Sequence, residues 1–304
     1  DAAAALDRVE GMRAKSKDIG DALEKLYADK PEIMESLLKA IADKSEDPSV
    51  LDHAVAAIVD CIAEVVGCID TRRGTSCGYH CELRPMLIKE WRRYVGEPDD
   101  QVELWLCDGS PLGIVARPVD RGIFPLYTDA GSAVVDPASL ASETLTGRAF
   151  KAAADPDAIS EISTLVSKNW LKRFSSKAQA KRFVKGRLVV SELIIIKKEK
   201  RTKDKTGRMQ RKVKKRLILN LKKSGITSAS VKSERPELPR VLDVVFQILE
   251  LLRHRESRHH WVRMLVLDFT HAFFNYPTMP EERRYFTARM GKAIILWLRA
   301  PQGS

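Results

Sequence analysis

Met264-Leu265-Val266-Leu267-Asp268-Phe269-Thr270-His271-Ala272-Phe273-Phe274 is the stretch on which the reading of this chain turns. Four apolar residues end in a carboxylate, and a short spacer with paired aromatics follows. The pattern suits a buried strand that delivers Asp268 as a metal ligand to the rim of a site. The same residues also allow a plainer reading, in which Asp268 caps the helix that follows the strand.

Two other segments stand in order around it. Roughly thirty residues later the chain reads Leu298-Arg299-Ala300-Pro301-Gln302-Gly303-Ser304, and upstream it reads Lys215-Arg216-Leu217-Ile218-Leu219-Asn220-Leu221-Lys222-Lys223-Ser224-Gly225. Together the three segments resemble, in order, the fingers strand, motif A and the opening of motif B of reverse transcriptases, the RNA-directed DNA polymerases of retrotransposon polyproteins. The resemblance covers about Ser160 to Ser304. It implies an α+β fold, an incomplete fingers-palm of a right-hand polymerase preceded by a mainly helical N-terminal region. The expected division is a helical region over 1–70, an irregular connector over 71–159, and fingers with partial palm over 160–304.

The chemistry implied is template-primed nucleotidyl transfer with Mg²⁺ or Mn²⁺. Two such ions about 3.5 to 4 Å apart activate the primer oxygen and share the charge that builds on phosphorus. By resemblance Asp268 is the catalytic metal ligand, and the backbone carbonyl of Phe269 supplies another oxygen. The remaining carboxylates belong to an Asp-Asp hairpin expected after Ser304, so this segment alone carries about half of an active site and is expected to be inactive by itself.

Phe273 matches the family's aromatic sugar gate, where a ring excludes a 2′-hydroxyl and favours deoxynucleoside triphosphates. Phe273 and Phe274 also suit ordinary core packing. His271 stands where several family members carry Asp. Lys198 and Arg216 match the cations that embrace the incoming triphosphate, where a planar guanidinium binds phosphate bidentately and an ammonium adds a point charge. Gln302 matches a residue near the incoming nucleotide, and Gly303 one that lets the template strand approach, which glycine permits because it lacks a Cβ. Asn220 replaces the usual Asp of the fingers strand and Thr227 a common Asn. The implied partners are an RNA or DNA template-primer and deoxynucleoside triphosphates.

Bulk properties agree with a globular chain of 304 residues, 44% of them hydrophobic. The formal net charge is +11. Fourteen Lys and Arg lie between Lys197 and Lys223 against only Glu199 and Asp204, a local excess of twelve, which leaves about −1 for the rest of the chain. The run is flanked by Leu188-Val189-Val190, Leu193-Ile194-Ile195-Ile196 and Leu217-Ile218-Leu219, so it reads as a hairpin with a basic tip. A basic nucleic-acid-binding segment, or a decayed retroelement relic without catalysis, is the alternative to a polymerase.

Five cysteines and the lack of a secretory h-region argue against a disulfide framework and for a reducing, intracellular setting, cytoplasmic or nuclear. Cys68, Cys77, His80 and Cys81 could offer soft ligands, although their spacing matches no established zinc pattern. No run of about 18 apolar residues exists, so no membrane span is expected.

Apolar spacing predicts helices between Ile19 and Val66 with a break near Asp47-Pro48-Ser49, and further helices over 83–94, 101–106, 160–174 and 242–252. The last, with Val245, Ile248, Leu249 and Leu252 on one face, is expected to pack beneath a sheet. A polar connector is expected over 225–239. An incomplete palm leaves an unpaired sheet edge, from which poor solubility of the isolated segment is expected.

Overall fold

The computed structural model describes residues 2–43, 51–74, 83–119, 139–140, 155–203, 208–231, 241–253 and 272–301. The fold is α+β, and the chain divides into two compact units, residues 1–110 with 275–279, and residues 111–274 with 280–304.

The first unit is helical. Its elements are α1 (Ala2–Asp29), α2 (Pro31–Asp43), α3 (Asp52–Val66), α4 (Pro85–Val95) and α5 (Gln101–Asp108). Ile19, Ile62, Ala63, Val66, Leu87 and Val95 form one buried cluster, so the apolar stripes of α1, α3 and α4 face each other. Helix α3 stops at Gly67, whose φ of 71° lies in the left-handed region, and the Cys68 amide reaches back to the carbonyl of Ala63 at 2.8 Å. A largely buried ion pair joins α4 to α5. One guanidinium edge of Arg92, Nε and Nη2, donates to the two Glu103 carboxylate oxygens at 2.8 and 2.9 Å, while Nη1 donates to the Glu97 carbonyl at 2.8 Å. Tyr94 of α4 donates its hydroxyl to Asp18 of α1 at 2.9 Å. The connector expected over 71–159 is therefore divided. Its first helix, α4, packs with the N-terminal helices, because Leu87 and Val95 complete that core, and α5 is joined to α4.

The second unit holds a five-stranded mixed sheet among the described residues, built from β1 (Leu171–Phe174), β2 (Val190–Lys203), β3 (Met209–Asn220), β4 (Thr287–Met290) and β5 (Ala293–Trp297) in the order β1-β5-β4-β2-β3. Neighbours are antiparallel except β2 and β4, which run parallel through Val190–Thr287 and Ser191–Ala288. Every residue of β5 is buried, as a strand covered on both faces requires. Leu171, Val189, Leu193, Leu219, Phe286, Ile295 and Trp297 form the centre of the core. Helix α6 (Pro156–Ser167) adds Ala158, Ile162 and Leu165 to it.

Three local expectations are corrected. The helix expected over 160–174 begins at Pro156, where the Asp155 side chain accepts the Asp157 amide at 2.8 Å, and ends at Ser167. Asn169 adopts a φ of 55° and ends the helix, and the Trp170 amide closes onto the Leu165 carbonyl. Trp170 to Phe174 then leads into and forms β1. Leu171 and Phe174 satisfy a helical spacing and a strand's buried ends equally well, so periodicity alone could not separate them. The connector expected from Gly225 contains helix α8 (Ile226–Ala229), whose Ile226 and Ala229 are buried in the core. Helix α9 (Val241–Arg253) forms as expected, yet Leu242, Val245, Phe246, Leu249 and Leu252 are exposed rather than packed beneath a sheet.

Candidate nucleic-acid interface

Strands β2 and β3 run twelve paired positions, from Glu192–Asn220 to Lys203–Met209. Only Val190 and Ser191 of β2 pair with β4, so beyond Ser191 the two strands stand as a ribbon. The basic run is therefore mostly strand, where the sequence suggested a tip. Residues 204–207 lie outside the described residues.

Strand geometry sorts the ribbon's charges. Directly opposite residues share a face, and faces alternate along each strand. On one face Leu193–Leu219 and Ile195–Leu217 enter the core, and the next pair is Lys197–Lys215. Both lysines meet the first turn of α6. Lys197 Nζ lies 3.0 Å from an Asp155 carboxylate oxygen and also bonds Asp157, while Lys215 Nζ lies 2.6 Å from Asp157. Farther out, Arg211 pairs with Glu199.

The opposite face carries Ile194–Ile218, Ile196–Arg216 and Lys198–Lys214. Lys198, Lys214 and Arg216 are exposed, and among the described residues no carboxylate pairs with any of them. Lys198 sits opposite Lys214 and diagonal to Arg216, a spacing of about 7 to 8 Å between backbones. Like charges opposed across a ladder repel. At its inner end Glu192 accepts from Asn220 Nδ2 and Lys223 Nζ, both at 3.2 Å. Asn220 serves that local network.

The lysine hydrogen bonds hold the carboxyls of Asp155 and Asp157 below the usual carboxylate range, with Lys197 the largest cause for both. Reciprocally, Asp157 first and then Asp155 raise the ammonium of Lys197. Folded-state acid values lie below unfolded ones, so the carboxylates' contribution is complete above the ordinary carboxylate range and is lost as pH falls through the depressed values. Lys197's contribution is complete below the ordinary lysine value and is lost as pH rises through the raised one. Melting temperatures of the wild type and Lys197→Met should differ near neutral pH and converge as acid protonates Asp155 and Asp157 through their depressed values. A gap that stays constant through that acid titration would show that the ion cluster does not clamp the ribbon.

The aromatic pair after Asp268 has one member with a clear role. Phe274, in the turn α10 (Ala272–Asn275), stacks on Trp170 with ring centroids 4.6 Å apart and planes 8° apart, and it packs against the core. This is the packing role that the sequence left open for Phe274. Phe273 lies in the same turn. Asp268, Phe269, His271, Gln302 and Gly303 lie outside the described residues, as do Cys77, His80 and Cys81. Cys68 donates its thiol to the Asp70 carbonyl at 3.3 Å, and burial raises its pKa above the ordinary thiol value. Thr227 is in α8, its amide bonded to the Leu221 carbonyl at 3.4 Å.

Sequence reasoning missed two features. One is the acidic cap Asp155-Pro156-Asp157, signalled by Asp at an N-cap before Pro, which neutralises one ribbon face. The other is a second basic run from Lys168 to Arg187, hidden by summing everything outside 197–223 into one near-neutral remainder. Among the described residues, no helix is long and apolar enough to cross a membrane. Comparison with protein families, with curated proteins and with solved structures gives no match.

Proposed function

We propose that this chain carries the fingers and part of the palm of an RNA-directed DNA polymerase from a retrotransposon polyprotein. The observation that carries the reading is the shared exposed face of Lys198 and Arg216, the two cations assigned to the incoming triphosphate from motif order alone. A ladder shifted by one residue would have put one of them among the Lys197 and Lys215 ion pairs. The register instead leaves both available to one polyphosphate.

In this reading Asp268 and the Phe269 carbonyl would hold Mg²⁺ or Mn²⁺, which supplies charge neutralisation at phosphorus. Phe273 screens the sugar, and Gln302 and Gly303 face nucleotide and template. A second reading, a nucleic-acid-binding segment without catalysis, is favoured by the Lys198–Lys214 pair, since a phosphate backbone would relieve that repulsion as well as a triphosphate does.

Equilibrium binding of dTTP with Mg²⁺ separates the two. Under the polymerase reading, Lys198→Ala and Arg216→Ala each weaken dTTP binding by about ten-fold or more, as expected for losing a charge-assisted hydrogen bond. Asp268→Ala removes the Mg²⁺ dependence, and Phe273→Ala narrows the preference for dTTP over UTP. If dTTP binding ignores all four changes while binding of an oligonucleotide falls with Lys198→Ala and Arg216→Ala, the ribbon holds a nucleic-acid backbone and the polymerase reading fails.

A further inference from the structure

We propose that β1 and α7 (Lys177–Phe183) form a second surface for single-stranded nucleic acid, built from residues other than those of the ribbon and independent of the polymerase reading. Between Lys168 and Arg187 the chain has eight Lys and Arg and no Asp or Glu. Such a run is often just a solvated face, so its geometry matters.

Strand β1 stands at one end of the sheet. Its Leu171 and Phe174 are buried while Lys172 and Arg173 are exposed. Helix α7 is capped by Ser176, whose hydroxyl accepts the Gln179 amide at 3.3 Å, and rests on the sheet through Ala180, which is fully buried. That placement turns Lys181, Arg182 and Phe183 outward, and exposed Lys185 and Arg187 follow. Among the described residues no carboxylate pairs with Arg173, Lys181, Arg182, Lys185 or Arg187. The contrast with the ribbon is direct, because there the lysines of one face are met by Asp155 and Asp157. Here, among the described residues, no carboxylate offsets those five cations.

The aromatics point to the class of polyanion. Phe183 is 39% exposed, and its ring lies 5.3 Å from that of Phe174. Lys172 Nζ sits 4.2 Å from the Phe183 ring centroid, held there by the attraction of a cation to the ring face. An exposed ring bordered by cations offers an unpaired base a stacking partner while phosphates on either side meet ammonium and guanidinium groups. A duplex, whose bases are already stacked, could use the cations only. A membrane surface would call for a longer amphipathic helix than the seven residues of α7.

The test is fluorescence anisotropy of the 304-residue chain with a labelled single-stranded oligonucleotide of about 20 nucleotides, without metal or nucleotide, so that its result does not depend on polymerase activity. Lys181→Gln with Arg182→Gln should weaken binding by about ten-fold, with the slope of log affinity against log salt falling by about 0.7 for each phosphate that the variant leaves unneutralised. Phe183→Ala should weaken single-strand binding at least about five-fold and leave duplex binding unchanged, as removal of one stacked base predicts. Matching circular dichroism melts keep a folding defect from imitating either result. The proposal is overturned if the double variant binds like wild type, if Phe183→Ala affects duplex and single strand alike, or if polyglutamate at equal charge displaces the oligonucleotide as well as unlabelled oligonucleotide does.

Discussion

Glu282→Ala should cost this protein about 5 kcal/mol of folding stability, the largest loss expected for any single side chain outside the apolar core. The Glu282 carboxylate is fully buried. It accepts four backbone N–H groups from one loop: Leu112 on Oε2, and Ile114, Val115 and Ala116 on Oε1 at 3.0, 2.7 and 3.1 Å. A hydrogen bond to a charged group is worth about 1.5 to 3 kcal/mol, and an orphaned buried donor costs roughly 1 to 3 kcal/mol. The four are not additive, because the loop can shift and admit water, which brings the sum down to the stated figure. Set against a total stability of about 5 to 15 kcal/mol, the change approaches global unfolding. Glu282→Gln keeps an oxygen for three of the four donors and should lose about 2 kcal/mol. Urea midpoints measure both, and a Glu282→Ala loss below about 1 kcal/mol would show that the loop is held by something other than this carboxylate.

Gly113→Ala strikes the same loop from its other side and should remove about 3 kcal/mol. Gly113 has a φ of 78°, where an L side chain costs roughly 1 to 2 kcal/mol. A Cβ there would also lie 2.3 Å from the Val231 carbonyl oxygen and 3.0 Å from its nitrogen. Val231 cannot simply withdraw, since its amide donates to the Gly113 carbonyl at 2.7 Å and the neighbouring Ser230 hydroxyl donates to the Leu112 carbonyl. Backbone must move against backbone, at a cost beyond the dihedral strain. Because Glu282 and Val231 grip the same few residues, Glu282→Ala with Gly113→Ala should lose less than the sum of the two. Additive losses would mean that the two sides of the loop act independently.

Local pattern carried much of the fold. Helices α2 to α5 and α9, and α1 only from Ile19 onward, were legible because apolar residues three and four apart mark one helical face whatever lies against it, and the ribbon was legible because apolar and basic segments alternated at strand lengths. The candidate site was legible in part, since Lys198 and Arg216 were chosen from the order of motifs. Three matters were beyond a local reading. Trp170 to Phe174 fits helix and strand alike, and pairing with β5, from Leu171–Trp297 to Phe174–Ile294, decides for strand. Phe274 suited core packing in sequence, but its stacking partner, Trp170, lies far upstream in the chain and no local pattern pointed to it. Glu282 reads in sequence as one of two acids after a proline, yet it holds a loop 166 to 170 residues away.

The amino-acid sequence by itself determined the mixed helical and strand character, the concentration of positive charge in 197–223 and the residues whose order resembles a polymerase, because composition, period and motif spacing are properties of a linear string. Only the tertiary structure decided which of those charges are compensated. Register puts Lys197 and Lys215 on one side of the ribbon and Lys198, Lys214 and Arg216 on the other, and among the described residues the acidic start of α6 pairs with the first two alone. The reason is geometric: a strand sends successive side chains to opposite faces, so residues adjacent in sequence meet different surroundings, and what surrounds each face is set by distant segments of the chain.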